Sequence, residues 1–223
     1  MSVAGLVTVV VPAFNAEQFL GDALRALAAQ DYPQVEIVVV DDGSSDQTNE
    51  LATRTPGVHL VTQENAGPSA ARNTGMAVGN GEFFTFCDAD DRFRADKVSK
   101  QVRYLREHPE VGCVLVHHQT FFESDVTRPE WLTDEDGVQP QSAMVRREVV
   151  DQIGGFDPTY RFTEGFEWLG RMRDAGIGIG VLADVCVDRR IHHTNMSYER
   201  ADLQHNMLRS LRDRLERNRR TTA

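Results

Sequence analysis

No run in this sequence approaches the ~18 consecutive apolar residues that a membrane span needs, so no transmembrane segment is expected. The opening stretch, MSVAGLVTVVVP, is apolar but lacks a basic leading region, which argues against a secretory leader. Cysteine is scarce. Cys87, Cys113 and Cys186 lie far apart in apolar runs, and their odd number and spacing match neither a zinc site nor a redox pair, so buried reduced thiols are expected. Basic side chains are also few. With 24 Lys and Arg against 34 Asp and Glu, the net charge is -10, which argues against a nucleic-acid partner or an anionic-membrane surface, because phosphate binding needs clustered cations. Low-complexity tracts and solenoid-period repeats are missing too. These absences leave one soluble cytoplasmic domain that must meet any anionic ligand with a local cation.

What is present is alternation. LVTVVVPAF and VEIVVV are nearly continuous Val-rich runs, the pattern of strands buried on both faces. Between them, NAEQFLGDALRALAAQD places Phe19, Leu20, Ala23, Leu24 and Leu27 on one helical face, with Asn15 and Gln18 spaced as a capping box. A second helix follows the Gly43 turn, with Ser44 and Gln47 as its expected cap. VHLVT and EFFTFC read as further strands, separated by a helix with Pro68 at its first position and Gly79 at its end. A helix from about Ala95 turns Val98, Val102 and Leu105 inward, and VGCVLVHH is the fifth strand. Such alternation predicts an α/β doubly wound, mostly parallel open sheet with ligands at the carboxyl ends of the strands. Asn15, Asp41, Asp42 and the acidic cluster Asp88, Asp90, Asp91 all fall just after strands, hence beside one crevice.

After residue 118 the rhythm breaks into a long excursion. Short helices are expected over RREVVDQIGGFDP and EGFEWLGRMRDAG, then a late strand IGVLADVCV. Residues 200–223 carry Leu203, Met207, Leu208, Leu211 and Leu215 on one stripe, an amphipathic helix suited to docking on the body or forming a homodimer.

The segments VPAFN, VVDDGSSD, NAGPSAARNTG, CDADD, GGFD and RRIHHTNMS occur in the order and spacing that resemble family 2 glycosyltransferases of the GT-A fold. The resemblance covers residues 6 to about 198, within a domain taken as 1–199 (nucleotide half about 6–117, acceptor half about 118–199). It implies a hexosyltransferase-type enzyme that takes a nucleotide-sugar donor, usually a UDP-sugar, and transfers the sugar with inversion to an acceptor the sequence does not name. It also implies a divalent cation, Mg2+ or Mn2+, on Asp88 and Asp90. Hard cations take oxygen ligands, and a cation there would relieve like-charge crowding worth roughly 1 to 4 kcal/mol per close pair. The plainer reading is an acidic helix cap.

On the nucleotide side the resemblance implies Pro12, Phe14, Asn15, Asp41, Asp42, Arg72, Asp88 and Ala89. Asp42 would accept the uracil N3 proton, with an ordinary Asp-Gly turn as the alternative, and Asp41 stands between the same two readings. Pro12 and Phe14 are either the floor under the base or simple packing. Arg72 offers fork-like donors to the nucleotide or a surface salt bridge. Arg190 and His192 would approach the diphosphate, or else belong to a polar turn.

The chain departs from the family pattern at the base. Members commonly carry Glu-Asp after GGFD, and the Asp takes the acceptor proton. Here Glu164 is followed by Gly165. Glu164 or Glu167 can replace it, against the alternatives of a helix-dipole partner and a solvated face. Two rivals follow. A non-catalytic nucleotide-sugar-binding protein would explain Gly165, whereas a sugar nucleotidyltransferase would need a Gly-rich basic loop after the first strand, which VPAFNAEQ lacks.

Overall fold

A computed structural model describes residues 2–127, 137–160, 162–195, 209 and 212. Four parallel strands form its first half: β1 (Val3–Ala13), β2 (Val35–Asp41), β3 (Val58–Thr62) and β4 (Gly81–Phe86), in spatial order β3-β2-β1-β4. Between and after them run α1 (Leu20–Ala28), α2 (Thr48–Arg54), α3 (Pro68–Val78) and α4 (Lys97–Glu107). Successive strand side chains face opposite ways. Val9, Val11 and Val39 therefore pack with Leu20, Leu24, Leu27, Val98, Val102 and Leu105 of α1 and α4. Val10, Val38 and Val40 pack with Ala71, Met76, Trp168 and Met172 on the other face. Each fully buried Val contributes about 1.5–3 kcal/mol, which is why continuous Val runs mark the central strands of this doubly wound α/β sheet.

The second half continues the sheet through β5 (Arg92–Phe93), β6 (Val111–Phe122), β7 (Gly137–Val138), β8 (Met144–Arg146) and β9 (Gly178–Ile191), with α5 (Arg147–Ile153) and α6 (Glu164–Asp174) before β9. The order runs on as β4-β8-β6-β9-β5. Short β8 lies antiparallel between β4 and β6, while β6 and β9 pair in parallel from Val111 opposite Gly178 to Phe122 opposite Ile191. This pairing extends both strands past their expected ends. Residues 119–122 belong to β6 rather than to an excursion, and Arg190 lies within β9 rather than after it.

Two expected caps do not form, because the β1–α1 and β2–α2 loops satisfy each other instead. Asn15 sits at φ 48°, receives the Ser45 N–H at 2.9 Å and gives its own N–H to Ser44 Oγ at 2.9 Å, so α1 starts only at Leu20. Asp46 takes the Thr48 and Glu17 N–H groups at 3.0 Å each, and Glu17 takes that of Gln47 at 2.9 Å. The three cysteines are buried and free, as expected. Trp168 belongs to the core, 4.4 Å from Phe156 between ring centroids. No described helix is long and apolar enough to cross a membrane. Trp131 and the apolar stripe from Leu203 to Leu215 lie outside the described residues, but Arg209 donates to the Thr159 carbonyl and hydroxyl at 3.0 Å each.

Candidate active site

The site begins with how closely α3 approaches β1. A Cβ at Gly75 would run into the Val10 side chain, so glycine lets the helix settle on the strand, and one turn earlier Arg72 is buried at the crevice. Its NH1 donates to Glu164 Oε1 at 3.0 Å and its NH2 to Asp88 Oδ1 at 2.8 Å. Burial opposes the charge, but Asp88 and then Glu164 hold the guanidinium above its usual pKa. One cation thus joins the proposed base to the acidic cluster. Arg72 is a buried strut between two carboxylates rather than a surface salt bridge.

Glu164 opens α6. Its side chain is 9% exposed, and while Oε1 holds Arg72, its buried Oε2 has no hydrogen-bond partner among the described residues. An unsatisfied buried carboxylate oxygen is costly in a merely structural role and suits a group awaiting a proton. Glu167 is different. Both its oxygens lie 3.0 Å from Arg171 Nε, and Arg171 in turn donates to Ile153 O at 2.6 Å and Gly155 O at 2.5 Å. Buried in this way, Glu167 staples α6 to the turn after α5, which rules out its alternative as a solvated face and commits its carboxylate to Arg171. At Gly165, a Cβ would collide with the ring of Pro140, whose Cγ would stand 3.1 Å away. Pro140 occupies the room an Asp side chain would need.

In the acidic cluster, Asp90 Oδ2 accepts from His192 Nε2 at 3.0 Å and from Asn195 Nδ2 at 2.9 Å. Thr194 N–H approaches His192 Nδ1 at 3.3 Å, which leaves the ring proton on Nε2. Asp91 is buried, accepts the Arg190 N–H at 2.9 Å, and is pushed well above the usual carboxylate pKa by burial and then by Asp90 and Asp88. Asp88 and Asp90 keep side-chain exposures of 31% and 26%. Among the described residues no three His, Cys, Asp or Glu side chains gather as a metal cage. Two carboxylates, each with one oxygen uncommitted among the described residues, fit Mg2+ or Mn2+, ions that complete their shell with substrate phosphate and water.

Arg190 and His192, expected beside the diphosphate, lie against the acidic cluster with their polar groups bonded to protein partners. Arg190 is 6% exposed, and its guanidinium nitrogens all have partners: Nε the Asp90 carbonyl at 2.9 Å, NH2 Asp22 at 2.8 Å and NH1 Glu123. His192 has both ring nitrogens engaged and stacks 4.2 Å from Phe19. Both side chains hold the acidic cluster in place. Asp22, Phe19 and Glu123 had no signal in the sequence, since each meets Arg190 or His192 only through the fold.

Across the crevice, Asp41 accepts from Ser44 N–H at 3.1 Å and Asn49 Nδ2 at 2.9 Å. Asp42 accepts from Gln63 Nε2 at 2.7 Å and from the N–H groups of Ala66 and Gly67 at 2.9 and 2.8 Å. Both carboxylates are buried and organise their loops. Pro12 is buried in β1 and Ala89 joins the core, whereas Phe14 stands 52% exposed at the strand end.

A family model described as Glycosyl transferase family 2 matches residues 8–162. The chain belongs to glycosyl transferase family 2. It is 36% identical over 129 residues to Glycosyltransferase GlyA of Streptococcus pneumoniae, covering 56% of this chain and 18% of that one. It is 27% identical over 202 residues to Glycosyltransferase AglE of Haloferax volcanii, covering 80% and 65%. The chain thus spans less than two thirds of the length of either relative. Among solved structures it resembles the S. aureus TarS 1–349 complex with UDP-GlcNAc (TM-score 0.70, 22% identity, 85% of this chain and 60% of that one). It also resembles the mannosyltransferase PcManGT of Pyrobaculum calidifontis with GDP-Man and Mn2+ (TM-score 0.74, 23% identity, 94% and 64%). At these identities the likeness establishes the GT-A type of fold.

Proposed function

We propose that this family 2 member moves a sugar from a nucleotide-diphosphate sugar, a UDP-sugar in the first instance, to an acceptor hydroxyl with inversion at the anomeric carbon. The observation that carries this reading is the Asp88–Arg72–Glu164 bridge, which sets a carboxylate with one oxygen unpaired among the described residues a single guanidinium away from the acidic motif. Glu164 Oε2 takes the proton of the acceptor hydroxyl. The acceptor oxygen bonds to the anomeric carbon as the bond to the diphosphate breaks, and the electron pair leaves with UDP. Asp88 and Asp90 would hold Mg2+ or Mn2+, which supplies charge neutralisation on the diphosphate. Arg72 keeps Glu164 turned toward the crevice, while His192 and Asn195 orient Asp90. Exposed Phe14 offers a ring face to the base beside Pro12 and Asn15, and Asp41 and Asp42 shape the loops around it.

A binding-only protein is the second reading, favoured by the filling of the Gly165 space by Pro140. The test is release of UDP or GDP from a panel of UDP- and GDP-sugars with Mg2+, Mn2+ or EDTA. Metal-dependent UDP release supports the transferase. Thermal protection by UDP-sugar and Mn2+ with no release across a broad acceptor panel supports binding alone.

A further inference from the structure

Lys97 begins α4 and is fully buried, and none of its hydrogen-bond partners among the described residues is a carboxylate. Its Nζ donates to Thr85 Oγ1 and Gln101 Oε1, each at 2.8 Å, and stands 3.9 Å from the Phe93 ring centroid. Charged or neutral, the amine carries N–H donors for both oxygens, so both accept and both side chains are oriented. The Thr85 hydroxyl is left to donate to Ala143 O at 2.8 Å. The Gln101 amide is left to donate to Val114 O at 3.0 Å and Ser142 O at 2.9 Å. Two paths from one amine therefore end on consecutive carbonyls of the segment before β8. The Ser142 hydroxyl then reaches Gln139 O at 2.7 Å, closing the turn that carries Pro140.

Pro140 is the residue that stands against Gly165, in the first turn of α6 and directly after Glu164. We propose that Lys97 is a positioning residue for Glu164. Through Thr85 and Gln101 it fixes the 139–143 strap, and the strap's proline sets where α6 begins. The strap also fills the place an Asp at 165 would occupy, so the missing side chain is the condition for this packing. The inference rests on Glu164 acting as the base.

The test compares Lys97→Met, Gly165→Ala and Gly165→Ala with Pro140→Gly, by kcat and KM for UDP release and by hydrogen exchange. Lys97→Met is expected to lower kcat at least ten-fold with donor KM within two-fold, and to raise exchange at residues 164–168 while β1–β3 stay protected. Gly165→Ala should lower kcat similarly, and adding Pro140→Gly should restore at least five-fold. Unchanged kcat in a folded variant, exchange that rises equally in β1–β3, or no rescue by Pro140→Gly would overturn the proposal. If Lys97→Met does not fold, the Gly165 and Pro140 pair decides alone. Wild-type rates in Glu164→Gln would instead remove the base, while the exchange data still report whether strap and helix are coupled.

Discussion

Lys97 makes the pH dependence of stability predictable in sign. Burial pushes its pKa down to about 7 from 10.5, against which Cys87 and Cys186 help only as thiolates. Between those values the unfolded chain binds a proton that the fold does not, so stability rises with pH at about 1.4 kcal/mol per unit. The thiols act oppositely. Burial raises Cys87 and Cys186 and pushes Cys113 up to about 12, so above about pH 8.5 the unfolded chain loses protons that the fold keeps, and stability falls with pH. The clean window is therefore pH 7 to 8.5, where Lys97 contributes about 2 kcal/mol of added stability. The assay is urea unfolding of wild type and Lys97→Met across that window. The wild-type free energy should gain about 2 kcal/mol relative to the variant, since every other group is common to both. Parallel pH profiles for the two proteins would refute the assignment of a depressed, buried lysine.

Other perturbations test the crevice. Asp90→Asn should abolish metal-dependent thermal protection by UDP; retained protection would take Asp90 out of the cation's shell. Asp42→Asn replaces one of the two oxygens that accept from the Ala66 and Gly67 N–H groups and should cost about 1–3 kcal/mol in a melting experiment, whereas an unchanged melt would count against its loop-organising role. Arg190→Met leaves Asp22 and Glu123, each about one third exposed, without their partner and is expected to destabilise by about 1.5–3 kcal/mol, measured in urea; a change below about 0.5 kcal/mol would show these contacts to be dispensable.

The β/α alternation and the placement of acidic motifs at strand ends were legible because both follow from short-range rules: buried strands read as apolar runs, and loops carry the polar residues. Three features were not. Strand β8 is only three residues long, too short to show a period, yet it separates β4 from β6. The helix caps yielded to bonds between loops some 30 residues apart, which no local pattern encodes. Arg190 reads as a surface cation until the fold brings Asp22 and Glu123 to it. Lys97 did leave a trace, since Lys97, Gln101 and Leu105 recur at helical spacing on the buried stripe of α4. Glu164 and Glu167 were both nominated from type and position, and only the burial of Glu167 against Arg171 separated them.

The most direct test of the account is Glu164→Gln, with UDP release and UDP affinity measured on the same preparation in the presence of Mn2+. UDP binding within two-fold of wild type and release slowed by more than ten-fold are expected. Release at the wild-type rate would contradict the account.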